Sequence, residues 1–305
     1  MNGTTGNSSA GLHPETVAYL VFGYPVSVAA IILNILEIYI IRKKWRKITD
    51  FELILFNLAT ADCMTGIVFL SLIGTETYLI HNNVQVRNEI IAAIYLLIVV
   101  SVIVSVNFVI LIGIERLFAV KLPIQHRMFH IKRRRVYIAV ALIWLVTILA
   151  CALAITLDQV INNTVIETYG STHLGYTCGT ILSLQSLIVL LLYSCLSVYV
   201  LKRQSRFNKI GEAHSARRDL ATSLKKERVT LIICFLIVAS FLACTTPFSI
   251  RMYQEQPEEI ERILLLSNSV INPLIYFFMG LVEKYYRRRR IADINFKANN
   301  EMERV

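Results

Sequence analysis

Hydrophobic and polar positions along this chain alternate on the scale of whole helices, not of single turns. Apolar blocks run over Thr16–Leu36 (continued past Glu37 by Ile38–Ile41), Leu53–Ile80, Ile90–Ile114, Val136–Leu157, Leu174–Leu201, Val229–Ile250 and Ile263–Leu281. The second is broken only by Asp62 and Glu76, and the third holds no Asp, Glu, Lys or Arg at all. A helix needs about 20 apolar residues to cross a bilayer, and only helices or closed barrels satisfy their backbone polar groups inside lipid. Blocks of this length and continuity predict helices. The expected fold is an all-α membrane protein, a seven-transmembrane helix bundle over residues 16–281. Residues 1–15 form an outer N-terminus, and residues 282–305 a cytoplasmic amphipathic helix and tail.

Charge orients this bundle. Only 17% of the residues are charged and 55% are hydrophobic, against roughly 25% charged in a soluble domain. All but three of the 31 Lys and Arg residues lie on one set of loop ends: Arg42–Lys47, Arg116–Arg135, Lys202–Arg228 and the tail from Lys284 to Arg304. The exceptions are Arg87, Arg251 and Arg262. Basic residues mark the cytoplasmic side, so the N-terminus is expected outside. The net charge of +10 then reports topology and attraction to anionic inner-leaflet lipid; nucleic acid is not an expected partner. The opening "MNGTTGNSSAGLHP" has no basic region ahead of an apolar stretch, so no cleaved signal peptide is expected. Glycosylation triplets at Asn2, Asn7 and Asn162 all fall on the outer side. Of six cysteines, only Cys178 approaches the outer face, so no disulfide is expected.

Ionisable residues inside membrane helices are costly and usually functional. Asp62 is one; its simpler role is a polar contact between helices. Ser101 and Ser105 share a face of the third block, Asn268 and Asn272 a face of the seventh, with Ser269 beside them. Oxygen atoms of this kind around a carboxylate suit a small hard cation. Glu37, near an inner helix end, is expected to snorkel outward or meet a cytoplasmic base. Pro247 and Pro273 lie inside the sixth and seventh blocks, where proline removes a backbone bond and kinks a helix. Glu115 and Arg116 end the third block; the simpler reading of this pair is a marker of the membrane boundary.

These residues together resemble the rhodopsin-like (class A) G-protein-coupled receptors, one signature per helix. Asn34 stands in the first, "NLATAD" ending in Asp62 in the second, "ERL" with Arg116 in the third and Trp144 in the fourth. "AVKLPIQHR" with Pro123 follows the third. Tyr199 stands in the fifth, Glu227, Phe241 and Pro247 in the sixth, and "NPLIY", Asn272 to Tyr276 with Pro273, in the seventh. The resemblance implies a receptor that catalyses no reaction and works with a heterotrimeric G protein at the plasma membrane. It implies that Arg116 pairs with Glu115 and, across the bundle, with Glu227. On activation the sixth helix moves outward, and Tyr199 and Tyr276 hold the open state. It also implies a sodium site at Asp62, Ser105, Asn268 and Asn272 beside Asn34, and no other cofactor.

The chain departs from the family pattern at the ligand-sensing end. Ile91 stands where the third-helix cysteine is usual, Thr245 for the sixth-helix tryptophan, Leu191 for the fifth-helix proline and Leu117 for the tyrosine after the arginine. Ile98 replaces the aspartate that amine receptors use, and Leu266 the lysine that binds retinal. The positions that would face a ligand are Tyr95, Ile98, Val99, Val102 and Ser183, with Thr245, Phe248, Ser249, Arg262 and Leu266. This largely apolar set favours an apolar or lipid-like ligand with Arg262 as counter-charge, unless Arg262 is a solvated loop residue. The competing ligand is a peptide met by Glu76, Glu255, Glu258 and Glu259. The tail has no Ser, Thr or Cys, so phosphorylation is expected on loop sites such as Ser205, Ser215, Thr222 or Ser223. Alternative functions are a receptor-fold protein with constitutive or non-classical signalling, and a seven-helix transporter or channel, for which no internal repeat is found.

Overall fold

The computed structural model describes residues 14–43, 48–82, 88–121, 133–162, 172–209, 232, 235–253, 260–278 and 280–281. The helices are α1 (Pro14–Lys43), α2 (Asp50–Asn82), α3 (Asn88–Lys121), α4 (Arg133–Asn162) and α5 (Thr172–Lys209). They continue with α6 (Phe235–Tyr253) and α7 (residues 260–278). No strand occurs among the described residues. The expected all-α bundle is therefore present; the expected tail helix over 282–305 lies outside the described residues.

Each helix forms for reasons visible in its own residues. At the start of α2, Thr49 and Glu52 make a capping box. The Thr49 N–H donates to Glu52 Oε2 at 2.8 Å, and the Glu52 N–H to Thr49 Oγ1 at 3.2 Å, satisfying two donors for which no helical turn supplies an acceptor. Arg42 and Lys43 occupy the last turn of α1, where the helix dipole favours cations. The helix continues through Pro247 in α6 and through Pro273 in α7. Six helices, α1 to α6, are long and apolar enough to cross a membrane by composition alone. In α7, Ser267, Asn268, Ser269 and Asn272 take places that the other helices give to apolar side chains.

Burial separates central helices from peripheral ones. In α2 and α3, 67% of the span is inside the bundle, against 22–33% in α1, α4, α5 and α6. Residues 101–106 of α3 are buried on every side, with Ser101 and Ser105 as their only polar side chains. α1 packs on α2, α2 on α3, and α3 on both α4 and α5. Val146, Leu149 and Leu153 of α4 and Phe235 of α6 are exposed on the outside, an apolar surface that lipid would cover.

Lipid tails are as apolar as leucine, so close packing between membrane helices relies on small residues. Gly66 of α2 meets α1 at Ala30: a Cβ there would lie 3.0 Å from Ile31 Cγ1 and 3.1 Å from both Ala30 Cβ and the Ser27 carbonyl. At Gly113 a Cβ would come within 2.9 Å of the Tyr193 ring on α5. The buried face of α1 is a stripe at Gly23, Ser27, Ala30, Asn34, Glu37 and Ile41. Glu37 is on that stripe, 6% exposed. This corrects the expectation that it snorkels: its spacing from Asn34 turns it into the bundle rather than toward the membrane surface.

Gly66→Val is expected to destabilise the protein by about 1–3 kcal/mol through overpacking. Gly280→Val, where a Cβ meets nothing within 4 Å, should leave stability unchanged. Unfolding midpoints in detergent compare the two; equal midpoints would show that α1 and α2 do not depend on close approach.

Candidate functional site

Asp62 is fully buried, one side chain deep among three helices. Its Oδ1 accepts from Ser105 Oγ of α3 at 2.6 Å and from Ser269 Oγ of α7 at 3.0 Å. Its Oδ2 accepts from Asn272 Nδ2 at 2.9 Å. A buried carboxylate requires partners of this kind, because leaving its oxygens unpaired away from water is costly.

Asn34 joins α1 to this hub by a route that follows from proline chemistry. Pro273 has no N–H, so the carbonyl four residues earlier, that of Ser269, loses its helical donor. Asn34 Nδ2 donates to that carbonyl at 2.9 Å, and to its own Ala30 carbonyl at 2.8 Å. The asparagine thus repairs the bond that the proline removes. Of the expected polar core, Ser105 and Asn272 bond Asp62 directly and Asn34 joins them through Ser269. Asn268 is buried on the same face of α7 as Asn272, with its Oδ1 unpartnered. Asn34 Oδ1 is likewise buried without a partner. One carboxylate, two hydroxyls and two orphaned amide oxygens fit a small monovalent cation, which takes oxygen ligands.

At the end of the bundle where α3 closes, Arg116 Nε lies 3.3 Å from Glu115 Oε2. Its guanidinium carbon also sits 3.6 Å above the ring centroid of Phe51 on α2. Phe51 in turn meets the ring of Tyr276 edge-on, with centroids 6.2 Å apart and planes at 70°. Arg116 therefore rests on an aromatic pair that links α2 to α7, and the capping box at Thr49 fixes the turn that carries Phe51. Phe51 is the residue that sequence reasoning missed here; its only signal was an aromatic side chain in the first turn of α2, level with the end of α3. Tyr199 donates to the Lys121 carbonyl at 3.4 Å. Phe241 is buried in the core and Pro247 half-buried in α6. Glu227 lies outside the described residues.

At the opposite end, Arg262 is a half-buried residue of α7. Its Nη1 lies 3.3 Å from Glu76 Oε1 of α2, and its guanidinium 5.5 Å from the Tyr95 ring centroid. The cation expected to await an anionic ligand is already met by a carboxylate. Arg251 and Glu261 form a second pair there at 3.4 Å. Of the expected pocket, Ile98, Val99, Val102 and Phe248 line a cavity of about 10 Å³. Thr245, Ser249 and Leu266 are packed inside the bundle, and Thr245 turns its hydroxyl back to the Phe241 carbonyl at 2.8 Å. Ser183 is half-buried on α5. Glu255, Glu258 and Glu259 lie outside the described residues. So do Asn2, Asn7, and the Asn163 and Thr164 that complete the triplet at Asn162.

The strength of the hub is open to measurement. Ser105→Ala is expected to cost about 1.5–3 kcal/mol, the range for a hydrogen bond to a charged group. In an Asp62→Leu background the same change should cost under about 1 kcal/mol, because the serine then has no carboxylate to serve. Equal costs in the two backgrounds, measured by unfolding in detergent, would show that the bond carries no coupling.

The family model of the 7 transmembrane receptor (rhodopsin family) matches residues 33–276, from just before Asn34 to Tyr276. No curated relative matches the chain. The hub and the Arg116 end fall inside the matched span, which covers most of the chain, and on the ground of that match the chain belongs to the rhodopsin family of seven-transmembrane receptors.

Proposed function

We propose that this receptor carries an extracellular signal across the plasma membrane to a heterotrimeric G protein, with α6 moving outward and Arg116 as the coupling residue. The observation that carries this reading is the seat of Arg116: an acid beside it at 3.3 Å and an aromatic ring beneath it at 3.6 Å. Both hold a cation in place at an end of the bundle where Lys and Arg gather, the side assigned to the cytoplasm. A cation over an aromatic face is worth about 0.5–2 kcal/mol, enough to bias a two-state equilibrium and small enough for a partner protein to reverse. Outward movement of α6 would open the space into which a freed Arg116 reaches.

In the same reading the Asp62 hub would seat Na⁺, held by Asp62, Ser105, Asn268 and Asn272 beside Asn34. A cation there would favour the arrangement in which α2, α3 and α7 stay gathered. Constitutive or non-classical signalling is the second reading. It is favoured by the cavity of only about 10 Å³ at the expected ligand position and by Thr245 in place of a bulky aromatic.

Phe51→Leu is expected to raise basal G-protein activation in transfected cells about two- to tenfold, by removing the cation–π contact; Phe51→Tyr should not. Adding Arg116→Ala to Phe51→Leu should return activity to background. A rise that survives loss of Arg116 would assign coupling to other residues. Replacing choline chloride by sodium chloride at equal ionic strength should raise the unfolding midpoint of the parent protein and not that of Asp62→Asn. An identical rise in both would remove sodium from the hub.

A further inference from the structure

A larger cavity, of about 190 Å³, lies between α3, α4 and α5 and shares Val99, Ile103 and Cys178 with the small one. Its walls are apolar: Val99 and Ile103 from α3, Val146 and Ala150 from α4, Cys178 and Ile181 from α5. Val146 and Ala150 line it and are also exposed on the outside of the bundle. The mouth therefore opens sideways, into what would be the hydrocarbon of the bilayer.

The deep end of this cavity is polar. Gln185 of α5 donates from Nε2 to Asn107 Oδ1 of α3 at 3.0 Å, and Asn107 Nδ2 reaches Thr147 Oγ1 of α4 at 3.5 Å. All three side chains line the cavity. Gln185 is 7% exposed, and its Oε1 is buried with no hydrogen-bond partner. An amide oxygen without a donor is an expense that native proteins avoid, and Gln185 is among the residues that line the cavity.

The chemistry of a complementary molecule follows. Its body is apolar, because the walls are. It is uncharged, because no ionised side chain among the lining residues would compensate a buried charge. It carries a hydrogen-bond donor, and a hydroxyl suits best: being donor and acceptor, it pairs with the amide in either orientation of that group. Gln185 lies nine residues into the α5 span that begins at Tyr176, so it is about 13 Å below that end at 1.5 Å per residue. A molecule reaches this depth from the bilayer more directly than from water. The volume slightly exceeds the ~150 Å³ that takes up benzene. It holds the hydroxyl-bearing end of a molecule whose remainder stays among the lipids.

We propose that the cavity between α3, α4 and α5 binds an uncharged apolar alcohol drawn from the bilayer, with its hydroxyl on the Gln185 amide. This site stands apart from the Arg116 end, so its occupancy is read by binding and not by G-protein coupling. The chemistry is shared by straight-chain alcohols and by sterols hydroxylated on the side chain.

The full-length receptor in phosphatidylcholine nanodiscs, titrated with tritiated 1-dodecanol and tritiated 25-hydroxycholesterol, tests the proposal. Saturable binding is expected for at least one; dodecanol alone would assign the site to chain alcohols, and the sterol alone to hydroxylated sterols. Dodecane, which lacks the hydroxyl, should compete about tenfold more weakly, and Gln185→Leu should weaken binding about tenfold, the worth of one such bond. Ala150→Trp fills the cavity from the lipid side and leaves the Gln185–Asn107–Thr147 chain intact. It should abolish binding at an unchanged unfolding midpoint. Binding of neither probe, equal competition by dodecane, or full binding by folded Ala150→Trp would overturn the assignment.

Discussion

A carboxylate buried where no water reaches it must be met by donors from elsewhere in the chain, and in this protein that requirement gathers the helices. Asp62 takes hydroxyls from α3 and α7 and an amide from α7. Asn34 brings in α1 by serving the carbonyl that Pro273 leaves open. Apolar packing does not choose among helix neighbours in a medium as apolar as the helices themselves. Polar pairs do, because a misplaced partner leaves charge or dipole unpaired in low dielectric.

Close approach is the second condition. Gly66 and Gly113 let α1 and α5 reach α2 and α3 at distances that a side chain would forbid. The two conditions act together: polar groups span only about 3 Å, so the helices that carry them must lie near each other. α2 and α7 then transmit the geometry along their length. Asp62 and Phe51 share α2, Asn272 and Tyr276 share α7, and both helices meet beneath Arg116 through the Phe51–Tyr276 contact. The hub and the coupling end are in this sense one framework, with two rigid helices between them.

The opposite end is organised differently. Its cations among the described residues are matched by acids, Arg262 by Glu76 and Arg251 by Glu261, and its axial cavity is small. The larger open volume faces lipid between α3, α4 and α5. The loss of the usual sixth-helix aromatic agrees with this: Thr245 satisfies itself on its own helix and projects no bulk toward a central ligand.

Much of this was legible in the chain alone. Block lengths named the helices, because the bilayer imposes a length and a composition that are local properties. Asp62, Asn34, Ser105 and Asn272 stood out as polar groups in apolar runs, and Glu115–Arg116 as a charge pair at a helix end. What the tertiary structure alone decided was which side chains meet. Phe51 lies under Arg116, Glu76 faces Arg262, Glu37 turns inward, and Gln185 ends a chain of amides beside an open cavity. Each depends on the rotation and relative depth of two helices distant in sequence, which packing and anchoring between neighbours set. Apolar runs carry little record of those two quantities, since a helix that is hydrophobic all round has no face to announce.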